Sequence, residues 1–230
     1  MKGNYAICHQ TPQSAMVTDS AYIMEFSGKD TLFLHADSLF YTAFDSVNKV
    51  MSAYHNVRFF RNDIQGKCDS LHYNVADSMV YMRDEPVIWA EDSQLTGDSI
   101  NIKVKEQAID NMLMYPNAFV IQQDSIKGFN QVKGKQITAF FKDNEINNMF
   151  NEGNAETVYW LRDDDGSLIG INFSQSATMD IKIKDNQIYN IKYYKDIKET
   201  LYPEEQLKDN MEYLKGFLWQ EDIKPRREEF

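Results

Sequence analysis

The feature that most constrains this chain is a repeat of about thirty residues carried by strand patterns. Ala36-Asp37-Ser38-Leu39-Phe40-Tyr41 recurs as Cys68-Asp69-Ser70-Leu71-His72-Tyr73 and as Gly97-Asp98-Ser99-Ile100-Asn101-Ile102. Looser copies are Gly134-Lys135-Gln136-Ile137-Thr138-Ala139 and Ser176-Ala177-Thr178-Met179-Asp180-Ile181. The small residues stand at 36, 68, 97, 134 and 176, so the steps are 32, 29, 37 and 42. Each copy leads to a polar turn: Asp45-Ser46-Val47, Asp77-Ser78-Met79, Glu106-Gln107-Ala108, Asn144-Glu145-Ile146 and Asn186-Gln187-Ile188. Asp, Asn and Ser suit such turns because their short side chains bond nearby backbone. A third landmark completes four units: Asn56-Val57-Arg58-Phe59, Pro86-Val87-Ile88-Trp89, Asn117-Ala118-Phe119-Val120 and Asn154-Ala155-Glu156-Thr157.

Within a unit the apolar period is two. Leu39/Tyr41, Leu71/Tyr73 and Ile100/Ile102 alternate with polar or mixed residues, as on half-buried strands, and so do Val57/Phe59 and Val87/Trp89. No unit of this length buries a core alone, but stacked units share one. The sequence therefore predicts an all-β stack over 1–195. One segment reads as a helix: Pro203-Glu204-Glu205-Gln206 opens a first turn, Leu207, Met211, Leu214 and Phe217 give a stripe, and Gly216 a stop. Residues 196–230 are thus expected to form a helical cap and tail closing one end of the stack, with Trp219 packing nearby. The other end, the N-terminal one, is left free to pair with another strand.

Charge and composition narrow the function. With 35 Asp+Glu against 24 Lys+Arg, the net charge of -11 repels phosphate backbones and argues against nucleic-acid binding. Ten Gly and five Pro exclude linker-like and collagen-like readings. No apolar run approaches the length of a spanning helix. Met1 to Tyr5 lacks an export signal, and Tyr5-Ala6-Ile7-Cys8 reads like a strand entered midway, so the chain is read as an excised part of a longer exported protein. Cys8 and Cys68 lack zinc-site spacing.

Candidate chemistry is sparse. His35 and His72 occupy similar places in successive units, but no carboxylate recurs beside both, and packing roles are expected for all four histidines. The repeated Asp37, Asp69 and Asp98 are read as turn or strand-start residues, since calcium rolls need glycine-rich turns. Asp163-Asp164-Asp165-Gly166 lacks the distal Glu of a calcium loop and reads as a polar loop. No nucleophile elbow or phosphate loop occurs, so neither an enzyme nor a metal or cofactor is expected.

Small-Asp-Ser-Leu-x-Tyr, a polar turn, then Asn-Val before another strand resembles the signature of the OstA/LptA lipopolysaccharide-transport family, and is most similar to the OstA-like proteins of Bacteroidota. The runs from Asp30 to Leu39 and from Val57 to Leu71 carry the likeness best, within residues 17–193, and the ending from Trp219 to Phe230 is also similar to such tails. Longer insertions at 122–133 and 161–173 depart from the short bridge proteins. The resemblance implies a β-jellyroll of V-shaped antiparallel strands, open like a taco. It further implies a periplasmic location, lipopolysaccharide or a related lipid as ligand, and edge-to-edge joining with other bridge proteins or copies. The groove would be lined by Leu39, Tyr41, Val57, Phe59, Leu71, Tyr73, Val87, Trp89, Ile100, Ile102 and Val120. The residues alone are equally compatible with a closed core, and with a structural or adhesive β-solenoid that binds a protein or glycan outside.

Overall fold

The computed structural model describes all residues except 28–29, 107, 125, 144, 164 and 208–210, and the side chains of 26–27 are likewise outside the description. Gln107, Asn144 and Asp164, singled out above, therefore lie outside the described residues. The chain runs through β1 (Tyr5–Gln10), β2 (Gln13–Ser27), β3 (Asp30–Ala43), β4 (Lys49–Arg61), β5 (Ile64–Asn74) and β6 (Met79–Arg83). It continues through β7 (Val87–Ala90), β8 (Ser93–Thr96), β9 (Ser99–Lys105), β10 (Ala108–Tyr115), β11 (Ala118–Gln123) and β12 (Phe129–Gly134). The last strands are β13 (Gln136–Lys142), β14 (Glu145–Arg162), β15 (Leu168–Lys184), β16 (Gln187–Tyr194) and β17 (Lys198–Tyr202). Among the described residues every pairing is antiparallel, in one sheet of 17 strands.

That sheet is folded along a spine into two arms. The long strands β2, β3, β4, β5, β14 and β15 each cross the spine and serve both arms. Arm A holds β1, β6, β9, β10, β13 and β16 with one half of each long strand. Arm B holds β7, β8, β11, β12 and β17 with the other halves. Register breaks mark the spine, at Thr18/Ala21, His35/Ser38, Tyr54/Val57 and Glu152/Ala155.

The repeat motif is the chemistry of this corner. Alternate passages turn it with left-handed residues: Asp19-Ser20, His55-Asn56, Asp84-Glu85, Asn117, Gly153-Asn154 and Lys195-Asp196 all have φ between 50° and 78°. Asn and Asp tolerate that region better than most residues. The intervening passages carry the small-Asp-Ser copies. There the second residue donates its N–H across the corner: Asp69 to Asp84 O (3.1 Å), Asp98 to Pro116 O (3.0 Å), Lys135 to Gly153 O (2.8 Å) and Ala177 to Lys195 O (3.1 Å). Asp37 and Asp98 also accept from Asn56 Nδ2 (3.0 Å) and Asn117 Nδ2 (2.9 Å), which explains why Asp and Asn recur together. The preceding residue is small because the arms converge on it: a Cβ on Gly134 would lie 1.8 Å from Asn151 Oδ1.

Alternation then sends one set of side chains between the arms. In arm A, Leu39, Ala53, Leu71, Met82, Ile100, Met114 and Ile137 stand in register on successive strands. From arm B come Leu34, Phe59, Ile88, Leu95, Val120 and Val132, and both sets belong to one buried cluster. Gly66 faces Phe59 because a Cβ there would fall 2.3 Å from the ring.

The C-terminal segment departs from the expected helix. A single 3-10 turn, Glu204–Gln206, follows Pro203, which makes no side-chain capping bond. Among the described residues the chain beyond it contains only two more such turns, Glu221–Ile223 and Arg227–Glu229. Tertiary contacts override local propensity here. Gln131 donates to Glu212 O (2.7 Å) and accepts from Leu214 N (2.8 Å), taking backbone groups that a helix would use internally. Leu207 and Leu214 pack on Val158, Trp160 and Ile171, and Phe217 and Trp219 pack on Phe129. The segment is an extended strap across the outer face of arm B, reaching Phe33 and Phe60 through Phe230. It does not close the end of the stack, where β16 and β17 pair only with β15 among the described strands. Nor does the stack end at 195, since β17 is paired in the last rung.

Candidate functional site

The space between the arms is where the sequence places the binding surface. Leu39, Val57, Phe59, Leu71, Ile100, Ile102 and Val120 all line it and are buried, while Tyr41 and Tyr73 line it nearer the open side and are half-buried. Val87 and Trp89 do not join them. Ile88 and Ala90 are the inward residues of β7, and Trp89 pairs with Gln65 and Gln94 on the outer face beneath the strap. The cause is a shift of one residue. The left-handed pair is His55-Asn56 in one unit and Asp84-Glu85 in the next, so Pro86, not Val87, is the counterpart of Val57. In a strand a slip of one exchanges the faces.

The interior is filled by the protein's own side chains. A void between the arms, among the described residues, measures about 20 Å³, room for about one water, and is bounded by Val120, Val132, Ile146, Met149, Ile183 and Ile188 with Ser93, Gln122, Asn130 and Asn186. Polar groups gather at this C-terminal part of the interior. Trp160 N donates to Asn130 Oδ1 (2.9 Å), Asn130 Nδ2 approaches Gln122 Oε1 (3.5 Å), and Gln122 Nε2 crosses to Asn186 O (2.6 Å) and Asn186 Oδ1 (3.0 Å). Tyr159 OH donates to Ile188 O (3.2 Å) and Tyr193 OH to Ser174 Oγ (3.1 Å), so these bonds also join arm to arm. Burial raises the pKa of both phenols, which keeps them protonated donors.

No family model matches the chain, and no curated protein matches it. Among solved structures it is similar to LptH of Pseudomonas aeruginosa, described as the LptA-homologous periplasmic component of the lipopolysaccharide transport device. The identity is 14% and the TM-score 0.49, with 61% of this chain and 95% of that one covered.

The remaining candidates resolve into structural roles. His35 lies on the outer face of arm B opposite Tyr22 and Arg58, and His72 on that of arm A opposite Ser52 and Tyr81, so the two are not a stacked pair. Among the described residues no group of three His, Cys, Asp or Glu side chains could hold a metal. Asp163, Asp165 and Gly166 form a hairpin loop in which Gly166 N bonds Asp163 O (2.9 Å) and Ser167 N bonds Asp165 Oδ1 (2.8 Å). Burial pushes the Cys68 thiol up to about 12, leaving it inert at neutral pH. No helix among the described residues is long and apolar enough to cross a membrane. Sequence reasoning missed the cross-arm set and the glutamines beneath the strap. Single amides in strands carry no distinctive spacing.

Proposed function

We propose that this chain is a periplasmic lipid-transport module of the OstA/LptA kind, in which the arms part to shield acyl chains of lipopolysaccharide or a related lipid. The observation that carries the reading is the inner face of arm A. Tyr41, Met51, Tyr73, Val80, Ile102, Met112, Ala139, Met149, Ile181 and Ile191 stand in register across arm A from β3 to β16, without a charged residue. Burying one acyl CH₂ is worth about 0.8 kcal/mol, so about twelve carbons offer ~10 kcal/mol before costs, which can offset local parting of the arms but not loss of the whole interior. Among the described strands each end presents a free edge, that of β1 at one and those of β16 and β17 at the other, and Tyr189, Tyr194, Ile197 and Leu201 are exposed on the latter. Such edges suit joining to neighbouring bridge proteins or further copies.

A second reading, an adhesive or structural β-solenoid, is favoured by the closed interior and by the row Phe40, Tyr54 and His72 on the outside of arm A, with ring centroids 5.6 and 5.2 Å apart. One experiment separates the two. A photo-crosslinking residue at Tyr73, inside, should capture lipopolysaccharide, while the same residue at Tyr54, outside, should not. Capture of protein or glycan at Tyr54 with none of lipid at Tyr73 selects the solenoid.

A further inference from the structure

Two hollows share a wall. Inside is the void of about 20 Å³. Outside is a polar depression of about 590 Å³, bounded by Asp92, Asp124, Tyr159, Arg162 and Asp185 among others. Gln122, Asn130, Asn186 and Ile188 line both. Across this wall Gln122 donates to Asn186 and Tyr159 to Ile188, tying the tip of arm B to the tip of arm A, while Asn130 holds Gln122 from within arm B. Behind them lie Val120, Val132, Ile146 and Ile183, so the wall is a thin polar layer over an apolar interior.

The two sides of the wall are held differently. On arm B, Arg162 bonds Asp124 through Nη2 (2.5 Å) and Nε (3.0 Å) and also reaches Lys127 O (3.2 Å) and Gly166 O (3.1 Å). Burial works to raise the Asp124 pKa, but Arg162 and the amides of Lys127 and Ile126 outweigh it and leave it lowered, so the pair stays ionised. The tip of arm B is therefore braced from behind. On arm A the tip is the β15–β16 hairpin, in which Asp185 and Asn186 adopt left-handed backbone and β16 has, among the described strands, a partner on one side only. An edge hairpin is the weaker party, and local opening is drawn from such elements.

We propose that Gln122 and Tyr159, with Asn130 bracing Gln122, form a latch on the β15–β16 hairpin, and that its release opens the interior sideways to an acyl chain arriving from the polar depression. This rests on the lipid-carrying reading for its ligand, but not for the motion. Amide and phenol bonds suit the task because water in the depression can replace them as they break, whereas interdigitated apolar side chains have no such substitute.

The test uses the full chain with Cys8→Ser and Cys68→Ala, the latter matching Ala36 at the same corner position. Val132→Cys then reports opening by its rate of maleimide labelling, and Ile100→Cys in the central rungs is the control. Gln122→Ala with Tyr159→Phe removes the three cross-arm bonds and should speed labelling at 132 by roughly five- to thirtyfold, and leave 100 unchanged. Equal rates with and without the latch substitutions overturn the proposal. So does faster labelling at both positions, which would mean that these bonds only hold the fold together. Uptake of a fluorescent palmitoyl-type fatty acid by the same variants reads the ligand separately. Opening without faster uptake keeps the latch and rejects the acyl chain as its cargo.

Discussion

The outer faces of the two arms start from the same alternation and end in different environments. On arm A the outward residues meet water: Phe40, Tyr54, His72 and Tyr81 are half-buried, and Tyr81 bonds Asp77 and stacks under Arg83. On arm B the outward residues Trp89, Phe119, Ile121 and Val158 are buried, because the strap lies over them. A strand covered on both faces reads as a continuous apolar run, as in Val87-Ile88-Trp89-Ala90 and Ala118-Phe119-Val120-Ile121, whereas arm A keeps its alternation. The strap is bound much as a strand would be. Gln94 donates to Leu218 O and accepts from Gln220 N, both at 2.7 Å, and Gln131 repeats the pattern at Glu212 and Leu214. The arms thus teach that burial in this molecule is set by what lies above each face, and not by the strand sequence alone.

The largest expected effect tests that statement directly. Trp89→Ala removes a fully buried ring from beneath the strap and should cost about 3–5 kcal/mol in chemical denaturation. Tyr54→Ala, its half-buried counterpart outside arm A, should cost about 1 kcal/mol. Equal losses would mean that the two faces are alike in solution and that the strap does not cover arm B. Next in size are the glutamine clamps. Gln94→Ala and Gln131→Ala each delete one donor and one acceptor and leave strap backbone groups unpaired, costing about 1–3 kcal/mol apiece. Proteolysis and hydrogen exchange should locate that loss in residues 211–220, with arm A unaffected. Exchange that rises evenly across the molecule would show the clamps to be ordinary core bonds.

How far the sequence reveals this architecture depends on the range of the interactions. The stack, its antiparallel hairpins and the recurring corner are legible because each is made by residues close in the chain, such as Asp45 receiving the amides of Val47 and Asn48. The inward positions of arm A are legible for the same reason. Those of β7 are not, because Asp84-Glu85 sets the register and nothing in Pro86-Val87 announces left-handed backbone before it. The strap is hidden by distance: Gln94 finds Leu218 and Gln220 from more than a hundred residues away, and that capture replaces the helix expected after Pro203. Whether the interior is filled or hollow is also not written in alternation, since the same Leu, Ile and Met residues serve either state.

The smallest expected effect belongs to the wet face. His72 sits edge-on to Tyr54, with Nδ1 2.9 Å from Ser52 Oγ, and its pKa is lowered by burial and then by the nearby Arg83 charge. A histidine whose folded pKa lies below its unfolded value binds protons more readily when the chain is open. Stability on its account is therefore complete above the unfolded value, about 6.5, and is lost progressively as pH falls toward the folded value. Urea denaturation from about pH 8 to about pH 5.5 should show this slope, and the carboxylates contribute little there because most titrate lower. His72→Phe keeps a ring in the row and removes the proton, so the variant should have a shallower slope over that interval. Arg83→Gln relieves the second cause while leaving the first, so the folded value should rise toward the unfolded one and the loss with acid should become smaller and end at a higher pH. If His72→Phe loses stability with acid as steeply as the parent, the ring is not the sensor, and the outer face of arm A is no more tied to folding than an ordinary solvated surface.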